Sequence, residues 1–295
     1  MSDYFIVKIF GLEIGINRVA FQIGSFSVYW YGIIIAAGFL AALIYAFRRA
    51  ADFKIKTDPM IDVVLAGGVG SVICARAYYV LTSLDQYSNF KEVINIHDGG
   101  IAIYGAVIGA FLFGGIMCKI RKINILSMFD LASIGFLIGQ AVGRWGNFIN
   151  QEAFGRNTTL PWGMYSSITE KYLSNASVQA DLISQGVTNI DPTAPVHPCF
   201  LYESIWCLIG FVLLHFLSKH RKFNGETLLQ YIVWYGFGRF FIEGLRTDSL
   251  MIGNFKISQI VAAICVVFGI AAILIMHIRI NKKEKFSISE KTLEE

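Results

Sequence analysis

The chain has 295 residues, of which 55% are hydrophobic and 16% charged, and its mean hydropathy is +0.56. A soluble domain carries about a quarter charged residues, so this composition excludes an ordinary soluble protein and points to a polytopic membrane protein. The net charge of +4 is small and the basic residues fall in short clusters beside apolar runs, which excludes a nucleic-acid footprint.

The first 22 residues mix Asp3, Lys8, Glu13 and Arg18 with hydrophobes. They lack the basic-then-apolar order of a cleaved signal peptide, which leaves the first membrane helix to address the chain. A helix needs about 20 apolar residues to cross the hydrocarbon core. Seven such segments are predicted, at 26–47, 60–81, 99–118, 126–145, 200–217, 227–244 and 257–278. Thr57-Asp58-Pro59 with Asp62, and Ser127 with Asp130, read as helix-start signals, the second pair resembling a capping box. Gly105, Gly109, Gly114 and Gly115 in the third span, and Gly135, Gly139 and Gly143 in the fourth, suit close helix contact in lipid. The polar stretch 151–199, rich in Ser, Thr and Asn, is longer than a plain connector and reads as a small head. Its Asn157 and Asn175 triplets read as chance rather than as glycan acceptors. The charged tail, 279–295, is expected to fray. The fold class is therefore all-α: one integral membrane domain over 1–295, with the head inserted at 151–199.

Lys and Arg residues set the orientation. They follow the first span at 48, 49, 54 and 56, the third at 119, 121 and 122, the fifth at 219, 221 and 222, and the seventh at 279, 282, 283 and 285. These loops are read as cytoplasmic, which puts the N-terminus and the 151–199 head outside and the C-terminus inside. Cys74, Cys118, Cys199, Cys207 and Cys265 show no metal or redox spacing and read as small packing residues. Cys199, near the outer surface, keeps a reactive-thiol alternative.

Polar groups inside the bilayer are costly unless partnered, so each is a site candidate. Arg144, Asn147, Asn150 and Glu152 cluster at the outer end of the fourth span. Arg239, Glu243 and Arg246 fall at i, i+4 and i+7 and would share one helix face. They read either as a structural clamp or as an anion site, because a guanidinium presents a planar fork to phosphate oxygens. Arg76 either snorkels or pairs with Glu203 or Glu243. Tyr29-Trp30-Tyr31 opens the first span at the outer interface, where Tyr29 and Trp30 read as an aromatic belt. His197-Pro198 and Leu201-Tyr202-Glu203 open the fifth, where Glu203 needs a partner. No Gly-x-Ser-x-Gly elbow, nucleotide-type phosphate loop or His-Glu-x-x-His pattern is present, so hydrolase, ATPase and metalloprotease readings lose their support.

The run from Gly143 to Gly155, Gly-Arg-Trp-Gly-Asn-Phe-Ile-Asn-Gln-Glu-Ala-Phe-Gly, closely resembles the signature of the bacterial prolipoprotein diacylglyceryl transferases. The resemblance extends through Tyr29-Trp30-Tyr31-Gly32, the run Gly99 to Gly105, His197-Pro198 with Leu201-Tyr202-Glu203, and Arg239 to Glu243 with Arg246. It implies transfer of the diacylglyceryl unit of phosphatidylglycerol to the lipobox cysteine of a preprolipoprotein signal peptide, in a bacterial cytoplasmic membrane and with no cofactor or metal. The positions that match the family's functional residues are Tyr31, Arg144, Asn147, Glu152, Gly155, Arg239, Glu243 and Arg246. Asn150, His197 and Glu203 join them as substrate-contact candidates, and Tyr104 stands where many members have histidine. A phenol with a reference pKa of about 10 is a poor base at neutral pH. The competing readings are an anion or lipid transporter, which paired broken helices in two repeats would favour, and a scaffold, which leaves the polar cluster unexplained.

Overall fold

The computed structural model describes residues 4–294 apart from 25, 85, 86, 88, 96–98 and 254; Asp3 and residue 295 lie outside the described residues. Four strands, β1 (Tyr4–Ile9), β2 (Leu12–Asn17), β3 (Val19–Ile23) and β4 (Phe26–Tyr29), lead into α1 (Trp30–Arg49). Next come α2 (Thr57–Thr82), α3 (Phe90–Ile94), α4 (Ile103–Ile120) and α5 (Ile125–Asn150). Then follow β5 (Tyr165–Ser166), α6 (Ser167–Leu173), α7 (Ala176–Ser184), α8 (Cys199–Leu217) and α9 (Glu226–Leu245). A hairpin of β6 (Met251–Ile252) and β7 (Phe255–Lys256) precedes α10 (Ile257–Glu294).

Six helices, α1, α2, α4, α5, α8 and α10, are long and apolar enough to cross a membrane. The protein is a mostly helical, polytopic membrane protein. Large apolar side chains such as Leu65, Val69, Val267 and Phe268 are exposed along these helices, as expected where lipid rather than water is the solvent. The sixth predicted span coincides with α9, which has the length but not the hydropathy of the others, because Gln230, Arg239, Glu243 and several Tyr, Trp and Gly residues interrupt its apolar run. Residues 26–29, expected to open the first span, are instead β4, paired with β3. The fourth span runs to Asn150 rather than 145, so Asn147 and Asn150 ride on the helix. The tail expected to fray continues α10 as helix to Glu294.

The chain forms two compact units, residues 46–132 and residues 1–45 with 133–295. In the first unit α2 lies against α4 through glycines, as the sequence suggested. A Cβ on Gly105 or Gly109 would collide with the carbonyl of Cys74 or Gly70, so only hydrogen permits this approach. Asp62 pairs with Arg121 at 2.6 Å, tying the start of α2 to the end of α4. The capping-box reading of Ser127 and Asp130 is corrected: Asn124 Oδ1 accepts from Ser127 N at 3.0 Å, so Ser127 lies inside the first turn of α5. Arg76 is also corrected. Its guanidinium donates to backbone carbonyls, Nε to Val93 at 2.7 Å, Nη1 to Gly99 and Gly100 at 3.0 and 2.8 Å, and Nη2 to Glu92 at 2.6 Å. Those carbonyls belong to α3 and to the link into α4, so among the described residues the carboxylate-pair alternative gives way to a guanidinium that holds backbone.

The second unit has an apolar core that the sequence reading did not foresee. β1 alternates, with Phe5, Val7 and Ile9 buried and Tyr4, Ile6 and Lys8 outward. It pairs antiparallel with β2 from Tyr4↔Asn17 to Ile9↔Leu12 and meets β5 at Val7↔Ser166 and Lys8↔Tyr165. Onto this sheet pack Phe148, Phe154, Met164, Leu173, Leu182, Val196 and Phe200, so the N-terminus and the 151–199 stretch share one core with the ends of α5 and α8. Ser166 and Thr169 form a reciprocal capping box on α6. Asn175 caps α7, and the Asn157 amide holds the carbonyls of Asp191 and Ala194 at 2.8 and 3.1 Å, which gives both asparagines structural roles. α8 and α9 are locked by Trp206 and Trp234, whose rings stack at 4.2 Å and whose indole N–H groups each donate 3.0 Å to the other's carbonyl.

Candidate active site

Arg144, Asn147 and Asn150 recur every three residues along the last turns of α5, so they lie on one side of the helix. Arg144 Nη1 donates to Asn147 Oδ1 at 3.2 Å, and Asn147 Nδ2 donates to Glu152 Oε1 at 2.9 Å. Asn150 Nδ2 reaches the same Glu152 oxygen at 3.3 Å. The chain folds back here because Gln151 and Ala153 take left-handed conformations, φ 52° and 56°, which non-glycine residues seldom adopt. Gln151 is anchored by its side chain, which donates to Phe148 O at 2.7 Å. Gly146 allows the Tyr31 ring to lie directly against α5, since a Cβ there would stand 2.7 Å from the ring.

Glu203, one turn into α8, is buried and engages both carboxylate oxygens. Oε1 takes Arg144 Nη2 at 2.5 Å and the Tyr235 hydroxyl at 3.0 Å, while Oε2 takes Arg239 Nη1 at 3.1 Å. Arg239 Nη2 meets Glu243 Oε2 at 2.5 Å, a close charge pair whose angle lies outside hydrogen-bond geometry. Two guanidiniums and two carboxylates therefore join α5, α8 and α9 in a locally neutral cluster. The clamp reading describes Arg239 and Glu243 best. Buried ions of this kind are tolerated because each is paired.

Arg246 departs from the expected i, i+4, i+7 face. α9 ends at Leu245 and Arg246 is extended, with φ −69° and ψ 149°. Its guanidinium grips Asp248 with two hydrogen bonds, Nε to Oδ1 at 2.8 Å and Nη2 to Oδ2 at 2.7 Å. Burial alone would lower the Arg246 guanidinium, but Asp248 outweighs it and holds it above its ordinary value. Burial would raise Asp248, and the same pairing instead holds it below the usual carboxylate range. Lys256 Nζ donates to the carbonyls of Glu243 and Arg246 at 2.9 and 2.6 Å, satisfying the open end of α9. Burial pushes its ammonium below the ordinary lysine value even beside Glu243.

The signature's last residue is stitched to these elements through backbone. Gly155 N donates to His197 O at 2.9 Å and Arg156 N to Leu245 O at 2.8 Å, with Gly155 bridging Arg246. A Cβ on Gly155 would lie 2.8 Å from His197 Cβ and 2.9 Å from Cys199 Sγ, so glycine is required by close packing. Cys199 is buried under this crossing, which removes the surface-thiol alternative. His197 Nδ1 stands 3.2 Å from the Tyr202 hydroxyl, which also accepts from Trp162 Nε1 at 2.8 Å. Burial, and then the charge of Arg156, push His197 below its ordinary value.

An open cleft of about 820 Å³ lies at the start of α1 and the end of α5, lined by Arg18, Tyr31, Gly32, Asn150 and Glu152 among others. Of the sequence-predicted residues, Arg144, Asn147, Asn150, Glu152, Glu203, Arg239 and Glu243 form one connected network. Arg246, Gly155 and His197 form the adjoining crossing, and Tyr31 lines the cleft. Tyr104, at the start of α4, belongs to the other unit, where its exposed ring lies 6.4 Å from that of Tyr78. Tyr235, Asp248, Lys256 and Arg18 were missed. Tyr235 was findable one turn before Arg239, and Asp248 as the carboxylate two residues past Arg246. Among the described residues no three His, Cys, Asp or Glu side chains gather as a metal site would require.

A family model described as prolipoprotein diacylglyceryl transferase matches residues 18–275. A Clostridioides difficile phosphatidylglycerol–prolipoprotein diacylglyceryl transferase is 40% identical over 275 residues, 93% of this chain and 99% of the relative. Proteins of the same name from Listeria innocua and Limosilactobacillus reuteri are 41% and 42% identical, covering 90% and 92% of this chain and 92% and 94% of their own lengths.

Proposed function

The chain belongs to the prolipoprotein diacylglyceryl transferase family, and from that premise we propose that it moves the diacylglyceryl unit of phosphatidylglycerol onto the lipobox cysteine of a preprolipoprotein. In this reaction the cysteine sulfur attacks the glyceryl carbon, a C–S bond forms and the C–O bond to phosphate breaks. The electron pair leaves with glycerol phosphate, and the thiol proton passes to solvent or to that phosphate. The observation that carries the reading is the cleft lined by Tyr31, Asn150 and Glu152, backed by the hydrogen-bond run from Glu152 through Asn147 to Arg144.

The chemistry suits these residues. Negative charge grows on the leaving phosphate as the C–O bond breaks, and fixed guanidiniums stabilise that state more than the ground state. Arg144 and Arg246 are the guanidiniums assigned to the phosphate, with Asn147 and Glu152 orienting substrate oxygens. Arg239, Glu203 and Glu243 keep Arg144 in place. A thiol of pKa near 8.5 is acidified in an electropositive site, so the same arginines ease formation of the nucleophile. Tyr104 is assigned as a positioner, and His197 and Gly155 as the scaffold of the substrate crossing.

The setting follows from the same reading. α9 serves as a seventh span, the 151–199 head and the N-terminus face outward, and the C-terminus is cytoplasmic in a bacterial cytoplasmic membrane. Both substrates then reach the site from the outer leaflet. The test is product analysis: purified protein with phosphatidylglycerol and a lipobox peptide should yield a thioether-linked diacylglyceryl peptide and glycerol phosphate. Lipid bound or moved across vesicles without a thioether would replace this reading with a transporter.

A further inference from the structure

Arg18 lies in the single-residue link between β2 and β3 and touches both walls of the cleft. Its backbone carbonyl accepts from Trp30 N at 3.0 Å, fixing the first residue of α1 next to Tyr31. Its side chain crosses to the other wall, where Nη2 donates to Asn150 O at 2.6 Å. That carbonyl is one of the open acceptors at the C-terminal end of α5, where partial negative charge favours a cation. Immediately beyond it come the two left-handed residues, Gln151 and Ala153, that aim Glu152. A turn held in so sparsely populated a conformation persists only when its surroundings over-determine it. The guanidinium also lies over the Phe5 ring, its carbon 5.4 Å from the centroid, and Phe5 is buried in the apolar core.

From this geometry we propose that Arg18 is a positioning residue for the transfer reaction, fixing Tyr31 and Glu152 on opposite walls of the cleft by bracing the start of α1 against the end of α5. The proposal rests on the transferase reading for its effect on rate, but not for its effect on structure. Arg18 Nε is buried without a hydrogen-bond partner among the described residues. The brace therefore depends on Nη2 and on the ring beneath it. Lysine, with one ammonium in place of the fork, reproduces the contact to Asn150 O but not the planar stacking.

The experiment has two arms on the full-length protein in detergent. Hydrogen exchange is read by mass spectrometry over peptides covering 26–32 and 147–156 in wild type, Arg18→Met and Arg18→Lys. Arg18→Met should exchange faster in both peptides, with α8 and α9 unchanged, and Arg18→Lys should lie between it and wild type. Unchanged exchange in Arg18→Met would overturn the proposal. In the second arm, transfer should fall about tenfold or more in Arg18→Met, the size of one lost hydrogen bond to a charged group. Adding Glu152→Gln should then cost little more, because both changes disable the same element. Losses that multiply would show that Arg18 does not act through Glu152. If Arg18→Met is not recovered folded, Arg18→Lys alone and with Glu152→Gln decides by the same criteria. Absence of transfer by wild type would overturn the activity reading alone, since exchange still decides the brace.

Discussion

Arg144 on α5 and Glu203 on α8 meet at 2.5 Å, and Glu203 gives its other oxygen to Arg239 on α9 at 3.1 Å. One buried carboxylate thus holds two guanidiniums that would otherwise repel each other. Glu203→Gln keeps the shape and removes the charge. Breaking a buried pair by removing one partner costs about 3–5 kcal/mol, so the variant should melt well below wild type and transfer poorly. An unchanged thermal midpoint would mean that the cluster is screened by water rather than buried.

The bidentate grip of Arg246 on Asp248 sets up a comparison of charge against shape. Arg144→Lys and Arg246→Lys retain a cation and lose the fork, removing a charge-assisted hydrogen bond worth about 1.5–3 kcal/mol, which is about 13- to 160-fold in rate if it acts on the leaving phosphate. Initial rates against phosphatidylglycerol concentration check this in protein of normal yield. Wild-type turnover in either variant would remove that arginine from the phosphate.

Asn147 stands between Arg144 and Glu152, accepting from the first and donating to the second. Asn147→Asp can still accept from Arg144 but loses the amide donor and sets a carboxylate against Glu152. A broken hydrogen bond to a charged group costs about 1.5–3 kcal/mol, so transfer should drop about tenfold or more at neutral pH. Full activity in Asn147→Asp would show that the run from Arg144 to Glu152 is not needed.

Much of this network was legible because bilayer chemistry makes polar residues conspicuous. Arg144, Asn147, Glu203, Arg239 and Glu243 stand out one by one, and the structure adds only their partners. What stayed hidden has physical causes. Arg76 satisfies itself on backbone carbonyls, which carry no residue-type signal. The N-terminal strands are six residues or fewer, and their alternation is diluted by outward-facing Tyr4, Ile6 and Leu12, which are apolar too. The end of α5 was misjudged because Asn147 and Asn150 are weak helix formers whose places are fixed by tertiary hydrogen bonds rather than propensity. Arg246 slid off its expected face because the helix stops at Leu245, and nothing local marks that stop.

His197 supplies a pH dependence. Burial and the Arg156 charge hold it below its ordinary value in the folded protein, while in the unfolded chain it titrates near about 6.5. The unfolded state therefore binds more protons as pH falls. The contribution of His197 to stability is complete above the unfolded pKa and is lost as pH falls through the folded one. The thermal midpoint in detergent should fall between about pH 7.5 and 5.5, and should fall less in His197→Gln. Equal falls in both proteins would assign the response to other groups.

Tyr104 tests how much of the chemistry needs a protein base. Its ring is exposed at the start of α4 and tilted against Tyr78, which leaves the hydroxyl open to donate to a substrate oxygen. Arginines that acidify the substrate thiol leave a base little to do. If Tyr104 positions substrate, Tyr104→Phe loses one neutral hydrogen bond, about 0.5–1.5 kcal/mol, and transfer slows roughly two- to twelvefold. The acidic limb of its pH profile should coincide with that of wild type, because a positioning hydroxyl takes no proton in the reaction. Tyr104→His adds an imidazole with a reference pKa of about 6.5. It should transfer at a rate close to wild type, with a new inflection near that value if the imidazole takes the proton. The three profiles are measured with the same peptide and the same phosphatidylglycerol micelles. Loss of transfer at every pH in Tyr104→Phe, in protein that still melts cooperatively and still binds phosphatidylglycerol, would make the hydroxyl indispensable and give Tyr104 the role of proton acceptor.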